Sequence, residues 1–208
     1  MNTYVYTIYG NIYINLTNFC SNACEFCVRN HESTMDGREF GSHSGEGDSD
    51  LWLDSEPSYK DVTDILDQMA FSRYKEMVVG GEGEPSARFE LVEMLCGYAH
   101  ERGIKTRINT NGQGNAILGK DIAPRMCRCI DTINVSLNAT DAQSYDRLCH
   151  SVYGEKAFDI MLDFAKECVR CGGNVVLRIV DCVPPEQLQK AAEIARDIGA
   201  KLRGRKMI

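Results

Sequence analysis

The sequence is poor in basic residues, in long apolar runs and in any leader-like segment, and each shortage argues against a class of protein. Lys and Arg number 23 against 30 Asp and Glu, so the formal net charge is −7. A broad nucleic-acid-binding surface needs clustered basic residues, and the one dense group is Arg203, Arg205 and Lys206. No apolar stretch approaches the ~18 residues of a membrane span, and no basic segment followed by an apolar run opens the chain. We therefore expect a cytoplasmic protein with no nucleic-acid partner and no membrane partner.

Cysteine, in contrast, is abundant, and the chain contains ten of them. In a chain without a secretion signal, this number does not predict a disulfide framework. The 208 residues suffice for one domain with a substantial core. The proportions of hydrophobic (43%) and charged (25%) residues are those of ordinary globular proteins. The closely spaced cysteines therefore need a chemical explanation.

Three cysteines fall within one short stretch, with the spacing C-x3-C-x2-C: Cys20, Cys24 and Cys27. Iron–sulfur clusters are held by thiolates in closely spaced runs of this kind. A cubic 4Fe–4S cluster has four irons, so three cysteines would leave one iron open for a small molecule. A structural zinc site is the main alternative, but it needs four protein ligands, and no second pair of ligands lies at a usual distance. Cysteines that are simply buried are the third interpretation.

Strand and helix patterns alternate along the chain about six times, which predicts a parallel sheet with right-handed crossovers. Six units are too few for a closed eight-stranded barrel, so we predict a partial, open (β/α)6 barrel of the α/β class. Three glycines precede strands and are typical of helix C-terminal caps: Gly103, Gly172 and Gly199. Pro57 is predicted to open the first helix, and Thr140-x-x-Gln143 has the form of a capping box. The predicted strands are residues 11–17, 75–79, 104–109, 132–138, 175–180 and 201–205.

Polar and glycine-rich motifs follow several of the predicted strands, where parallel α/β folds collect their sites. Gly80-Gly-Glu-Gly-Glu-Pro85 allows a close approach of backbone to ligand, and a carboxylate there could accept a hydrogen bond from a ligand amine; the stretch could also be only a tight turn before a helix. Asn109-Thr-Asn-Gly112 and Ser136-Leu-Asn138 supply short polar groups, although Asn-Gly is also an ordinary turn signal. Arg178 alternates with apolar residues and could pair with a carboxylate as a two-pronged donor, or lie exposed in its strand.

Taken together, these motifs resemble the radical S-adenosylmethionine (SAM) superfamily. The resemblance rests on the cysteine spacing with Phe26 before the last cysteine, on the glycine-rich element that ends in Pro85, and on the polar ends of the third and fourth strands. Either Glu82 or Glu84 matches the acid of that element, and we prefer Glu84 because a proline follows the acid in the family. It implies a 4Fe–4S cluster on the three cysteines, SAM on the open iron, and reductive cleavage of SAM to a 5′-deoxyadenosyl radical that abstracts hydrogen from a substrate. It also implies backbone contacts to the cofactor from residues 180–183. The other expected cofactor contacts are Phe26, Gly81, Gly83, Glu84, Thr110, Asn111, Ser136, Asn138 and Arg178.

Finer details are similar to the small radical SAM proteins associated with TatD-type hydrolases. This similarity implies one radical SAM core domain over residues 1–208, with a long loop at residues 29–50 on the active-site side. It also implies an unknown small-molecule or peptide substrate, an electron donor such as ferredoxin or flavodoxin, and a functional link to a TatD-type hydrolase. Two alternatives stay open: an activating enzyme for a glycyl-radical protein, and a non-enzymatic iron–sulfur or zinc scaffold.

Overall fold

The structure is a computed structural model that describes residues 2–27, 51–180 and 184–205. The predicted long loop at residues 29–50 lies outside these residues, and so do residues 181–183, to which backbone contacts were assigned. None of the helices in the described residues is long and apolar enough to cross a membrane.

The described chain forms one seven-stranded sheet, in the order β1-β2-β3-β4-β5-β6-β7. β1 and β2 pair antiparallel, and each later strand pairs parallel with the one before it. The strands are β1 Val5–Ile8, β2 Asn11–Ile14, β3 Glu76–Val79, β4 Lys105–Thr110, β5 Thr132–Ser136, β6 Val175–Val180 and β7 Lys201–Arg205. The helices are α1 Tyr59–Leu66, α2 Phe89–Glu101, α3 Gly114–Leu118, α4 Ala123–Cys129, α5 Ala142–Cys149, α6 Lys156–Arg170 and α7 Pro185–Ile198.

The predicted open α/β barrel is confirmed, since six strands run parallel and β1 does not pair with β7. β1 itself was not predicted. It is joined to β2 by a two-residue turn in which both Tyr9 and Gly10 have positive φ, 51° and 75°. Such a turn matches the twist of a hairpin. Its residues, Tyr-Gly, are not the Asn-Gly or Asp-Gly pair by which a hairpin turn is usually predicted from a sequence.

Side chains alternate between the two faces of the sheet. One face packs against the helices and carries the core, as with Ile12 and Ile14 of β2 or Ile133 and Val135 of β5. We call the opposite face the inner face, because it lines the inside of the partial barrel. It carries polar and charged residues among a few buried valines, and this is the face on which a ligand can be held by side chains.

The three glycines predicted to end helices all have positive φ, at 73° for Gly103, 80° for Gly172 and 76° for Gly199. The predicted capping box at Thr140 is wrong. α5 is capped by Asp141, whose Oδ1 accepts from Ser144 N at 2.8 Å, because Asp is at least as good a cap as Thr and lies one residue nearer the helix.

The start of the first helix also differs from the prediction. α1 begins at Tyr59, two residues after Pro57, because Ser58 forms a capping box with Asp61. The Ser58 hydroxyl accepts from Asp61 N at 3.3 Å, while Asp61 Oδ2 accepts from Ser58 N at 2.8 Å. The two reciprocal bonds fix the helix start more strongly than the proline does.

Candidate functional site

The cysteine loop leaves β2 and continues to Cys27, with all three thiols half-buried. Cys20 Sγ accepts from Asn22 N at 3.4 Å and from Asn111 Nδ2 at 3.7 Å. Cys27 N donates to Cys24 O at 3.1 Å, which closes the last turn of the loop. Among the residues that the structure describes, no three His, Cys, Asp or Glu side chains are arranged to hold a single metal ion. A cubic cluster differs from a single ion because each cysteine binds a different iron.

The glycine-rich turn after β3 packs directly beneath the cysteine loop. Glu84 N donates to Phe19 O at 2.7 Å. A Cβ atom added at Gly83 would lie 2.5 Å from Phe19 O and closer still to Thr17 O, and one added at Gly81 would lie 2.6 Å from Asn15 Cγ. Neither glycine can carry a side chain without moving its neighbours. The turn and the loop are therefore built as one unit.

The two acids of this turn have different environments. Glu84 is 2% exposed, whereas Glu82 is half-buried. Glu84 Oε1 accepts from Ser86 N at 3.0 Å and from Thr110 Oγ1 at 2.6 Å, and Oε2 accepts from Asn111 N at 2.6 Å. Burial raises the pKa of Glu84, and these donors act against that rise. Glu84 thus ties the glycine turn to the end of β4.

Gln113 is a buried residue that the sequence analysis did not single out, and its side chain links several elements around the cysteine loop. Its Oε1 accepts from Ser21 Oγ at 2.7 Å and from Ser151 Oγ at 3.1 Å. Its Nε2 donates to Asn22 Oδ1 at 2.9 Å and to Tyr145 OH at 3.2 Å. Gln113 is fully buried, and it holds the middle of the cysteine loop to the end of β4 and to α5. The only signal in the sequence was its place in the polar stretch after β4.

Cys149, which the sequence analysis also did not single out, contacts both Asn138 after β5 and the cysteine loop. Asn138 has a positive φ of 56°, a conformation that Asn tolerates, and its Nδ2 donates to Cys149 Sγ at 3.5 Å. The side chains of Cys149 and Cys24 are hydrogen-bonded, and this contact is the main cause that lowers the pKa of Cys149. Ala23 N donates to Cys149 O at 2.9 Å. Asn138 therefore lies beneath the loop and supports it.

The remaining predicted residues lie around this centre. Phe26 is half-buried and packs against the core. Ser136 ends β5 and is aligned with Arg178 of β6, which in turn is aligned with Arg203 of β7. Arg178 lines a cavity of about 330 Å³ on the inner face, so it points into the barrel. The structure thus brings the predicted set to the carboxyl ends of β2 to β5, with Arg178 inside β6 at the level of Ser136.

Comparisons with known proteins support one family. A family model described as the radical SAM superfamily matches residues 14–198. No curated protein matches the chain.

Several solved structures resemble the chain. One is SuiB of Streptococcus suis bound to S-adenosylmethionine, with a TM-score of 0.58 and 21% identity over 91% of this chain and 37% of that one. Another is a radical SAM methyltransferase from Sphaerobacter thermophilus, with a TM-score of 0.64 and 15% identity over 95% of this chain and 57% of that one. A third is the FeFe-hydrogenase maturase HydG from Carboxydothermus hydrogenoformans, with a TM-score of 0.55 and 13% identity over 93% of this chain and 44% of that one. The chain spans 37% to 57% of the length of these proteins, and at such identities the likeness shows the fold.

Proposed function

Since the chain belongs to the radical SAM superfamily, whose members bind a 4Fe–4S cluster and SAM, we propose that it is a radical SAM enzyme that binds one cluster through Cys20, Cys24 and Cys27. The observation that carries this proposal is the packing of the glycine turn against the cysteine loop. In that arrangement, a ligand held by the turn would lie beside the cysteine loop.

The residues present fit both groups. Three half-buried thiols on one short loop are the donors that an iron–sulfur cluster requires. The absence of side chains at Gly81 and Gly83 lets the turn pack against Asn15 and against the backbone of the cysteine loop. Asn15 Oδ1, which lies against Gly81, is buried and has no hydrogen-bond partner among the described residues. A ligand amine at the turn would satisfy this acceptor, and buried acceptors are rarely left unsatisfied.

When bound, the reduced cluster and SAM supply the reductive cleavage that yields methionine and a 5′-deoxyadenosyl radical for hydrogen abstraction. The protein holds and orients these groups. The turn and its acid Glu84 would hold the SAM amino group, and Arg178 would pair with its carboxylate. Short polar and backbone groups would hold the nucleoside, namely those of Phe26, Thr110, Asn111, Ser136 and Asn138.

The proposal also includes the subgroup of the superfamily, the electron donor and the substrate class. We infer a place among the small radical SAM proteins associated with TatD-type hydrolases, with ferredoxin or flavodoxin as the electron donor. The substrate would be a small molecule or a peptide that enters at the open side of the barrel.

The test is 5′-deoxyadenosine production from SAM by protein reconstituted anaerobically with iron and sulfide and reduced with dithionite. The control is the triple variant Cys20→Ala, Cys24→Ala, Cys27→Ala. We expect about four irons per wild-type chain, and product from the wild type alone. Bound zinc without product would overturn the proposal. Bound iron and SAM without product, both alone and with candidate substrates, would point to a scaffold.

A second experiment decides which acid of the glycine turn serves SAM. We expect Glu84→Gln to lower the free energy of unfolding by about 2 kcal/mol, because an amide group cannot accept from all three of its donors, and to weaken SAM binding strongly. Glu82→Gln is the matched control, and it should leave stability within about 0.5 kcal/mol of the wild type. Urea unfolding and equilibrium dialysis of labelled SAM measure the two effects. Loss of SAM binding in Glu82→Gln alone would assign the role to Glu82.

A further inference from the structure

The inner face holds a cavity that shares only Arg178 with the proposed cofactor site. It has a volume of about 330 Å³ and is lined by residues of every parallel strand from β2 to β7. This volume lies at the lower end of the range for small-molecule sites. Most ligand sites are lined mainly by apolar side chains, whereas this one is lined almost entirely by polar and charged residues: Tyr13, Glu76, Arg107, Thr132, Asn134, Asn174, Val176, Arg178, Lys201 and Arg203.

The charges in this cavity are predominantly positive. Four cationic side chains and one carboxylate line it, although the whole chain carries a net charge of −7. The carboxylate belongs to Glu76, and Arg107 neutralises it through bonds of 3.0 Å from Nε and 2.7 Å from Nη2 to Oε1. Neither Lys201 nor Arg203 forms an ion pair with any residue in the described part of the chain. The positive charges that have no ion-pair partner in the described part of the chain are therefore those of Lys201 and Arg203, on β7.

The strand register places two of these cations side by side. Arg178 of β6 and Arg203 of β7 are aligned partners in a parallel pair, so both project from the same face, with their strands about 4.8 Å apart. Since Arg178 is the proposed partner of the SAM carboxylate, Arg203 and Lys201 are the cations that remain for a second anion. The planar guanidinium group of Arg203 is suited to an oxyanion.

The position of Arg203 relates this cavity to the proposed cofactor site. Ser136, Arg178 and Arg203 are aligned across three neighbouring strands, so Arg203 lies about 10 Å from Ser136 across the sheet. β7 is the edge strand of the described sheet. Thr132 and Lys201 are the first residues of their strands, so the cavity extends from the level of Ser136 towards the amino ends of the strands. A molecule that enters at this edge would meet Arg203 and Lys201 first.

We propose that this cavity binds the substrate through an anionic group, a carboxylate or a phosphoryl group, held by Arg203 and Lys201. The role as a substrate site rests on the proposed radical SAM function, whereas anion binding itself does not. Lys201 Nζ donates to Asn174 Oδ1 at 2.8 Å, which holds its ammonium group at the cavity wall. The site would therefore select small anionic substrates and reject neutral or cationic ones.

The test is isothermal titration calorimetry on anaerobically reconstituted protein with SAM, at constant ionic strength set with chloride. Sulfate serves as the tetrahedral probe and succinate as the carboxylate probe. We expect the wild type to bind at least one of them with a dissociation constant in the order of 1 mM, and Arg203→Gln to weaken binding about tenfold. Arg203→Lys should recover part of the loss. The matched control is Arg196→Gln, an exposed arginine on α7, and it should bind within about twofold of the wild type.

The outcomes separate this inference from the proposed function. Tighter binding of sulfate would indicate a phosphoryl substrate, and tighter binding of succinate a carboxylate. No binding by the wild type, or equal weakening in Arg203→Gln and Arg196→Gln, would overturn the inference and leave Lys201 and Arg203 as charges that protect an edge strand. Parallel measurement of 5′-deoxyadenosine keeps the two apart. Arg203-dependent binding without SAM cleavage, both alone and with candidate substrates, would retain the anion site and refute the proposed function. SAM cleavage without anion binding would retain the proposed function and refute the anion site.

Discussion

Replacing Gly83 with alanine is expected to lower the free energy of unfolding by about 3 kcal/mol and to abolish retention of the iron–sulfur cluster. The new methyl group would overlap the carbonyl oxygens of Thr17 and Phe19, which belong to the backbone of the cysteine loop. Gly83 does not have a positive φ, so an alanine there is not strained by its backbone conformation. The whole cost is steric, and it can be relieved only by moving the loop.

Gly97→Ala is the matched control for Gly83→Ala. Gly97 lies inside α2, and nothing lies within 4 Å of an added Cβ atom there. Alanine should stabilise this helix by about 0.5 to 1 kcal/mol. Urea unfolding gives the two free energies, and iron and sulfide analysis after reconstitution gives cluster retention. If Gly83→Ala kept a full cluster and the stability of the wild type, the glycine turn would not be the platform of the cysteine loop.

The parts of the site that could be predicted from the sequence are those whose chemistry is local. The cysteine spacing and the Gly80–Pro85 turn are each contained in six to eight consecutive residues, so their meaning does not depend on distant partners. The same holds for Gly103 and Gly199, where one residue type signals the end of a helix. The alternation of strands and helices fixed the fold class because each element carries its own periodicity.

The parts that could not be predicted depend on contacts between distant residues. Gln113 meets Ser21 across 92 positions and Tyr145 across 32 positions, and no periodicity relates such residues. Cys149 resembled any buried residue at a helix end until the fold brought it to Asn138 and the cysteine loop. The hairpin of β1 was missed for the opposite reason, because its turn is local but has unusual residues.

Gln113→Leu is the second substitution for which we expect a large effect. Leucine matches the size of glutamine approximately but removes four hydrogen bonds, and it leaves polar groups of Ser21, Asn22 and Ser151 buried with fewer partners. Each unsatisfied buried group costs about 1 to 3 kcal/mol, and losses within one network do not simply add. We therefore expect the free energy of unfolding to fall by about 3 kcal/mol.

Two variants show whether this loss comes from the network. Gln143→Leu makes the same replacement at an exposed position of α5, and it should change stability by less than about 0.5 kcal/mol. Tyr145→Phe removes one hydroxyl, which accepts from Gln113 Nε2 at 3.2 Å and from Asn22 Nδ2 at 3.3 Å, and it should cost about 1 kcal/mol.

The network also predicts an effect on the cluster itself, because Ser21 and Asn22 lie between two of the proposed ligands, Cys20 and Cys24. If Gln113 holds this segment in place, its loss should speed the release of iron to a chelator by about 30-fold, the factor that corresponds to 2 kcal/mol of local stability. Release is followed by the absorbance of the iron–chelator complex under anaerobic conditions. A variant that is globally destabilised but releases iron at the wild-type rate would show that Gln113 supports the barrel and not the cysteine loop.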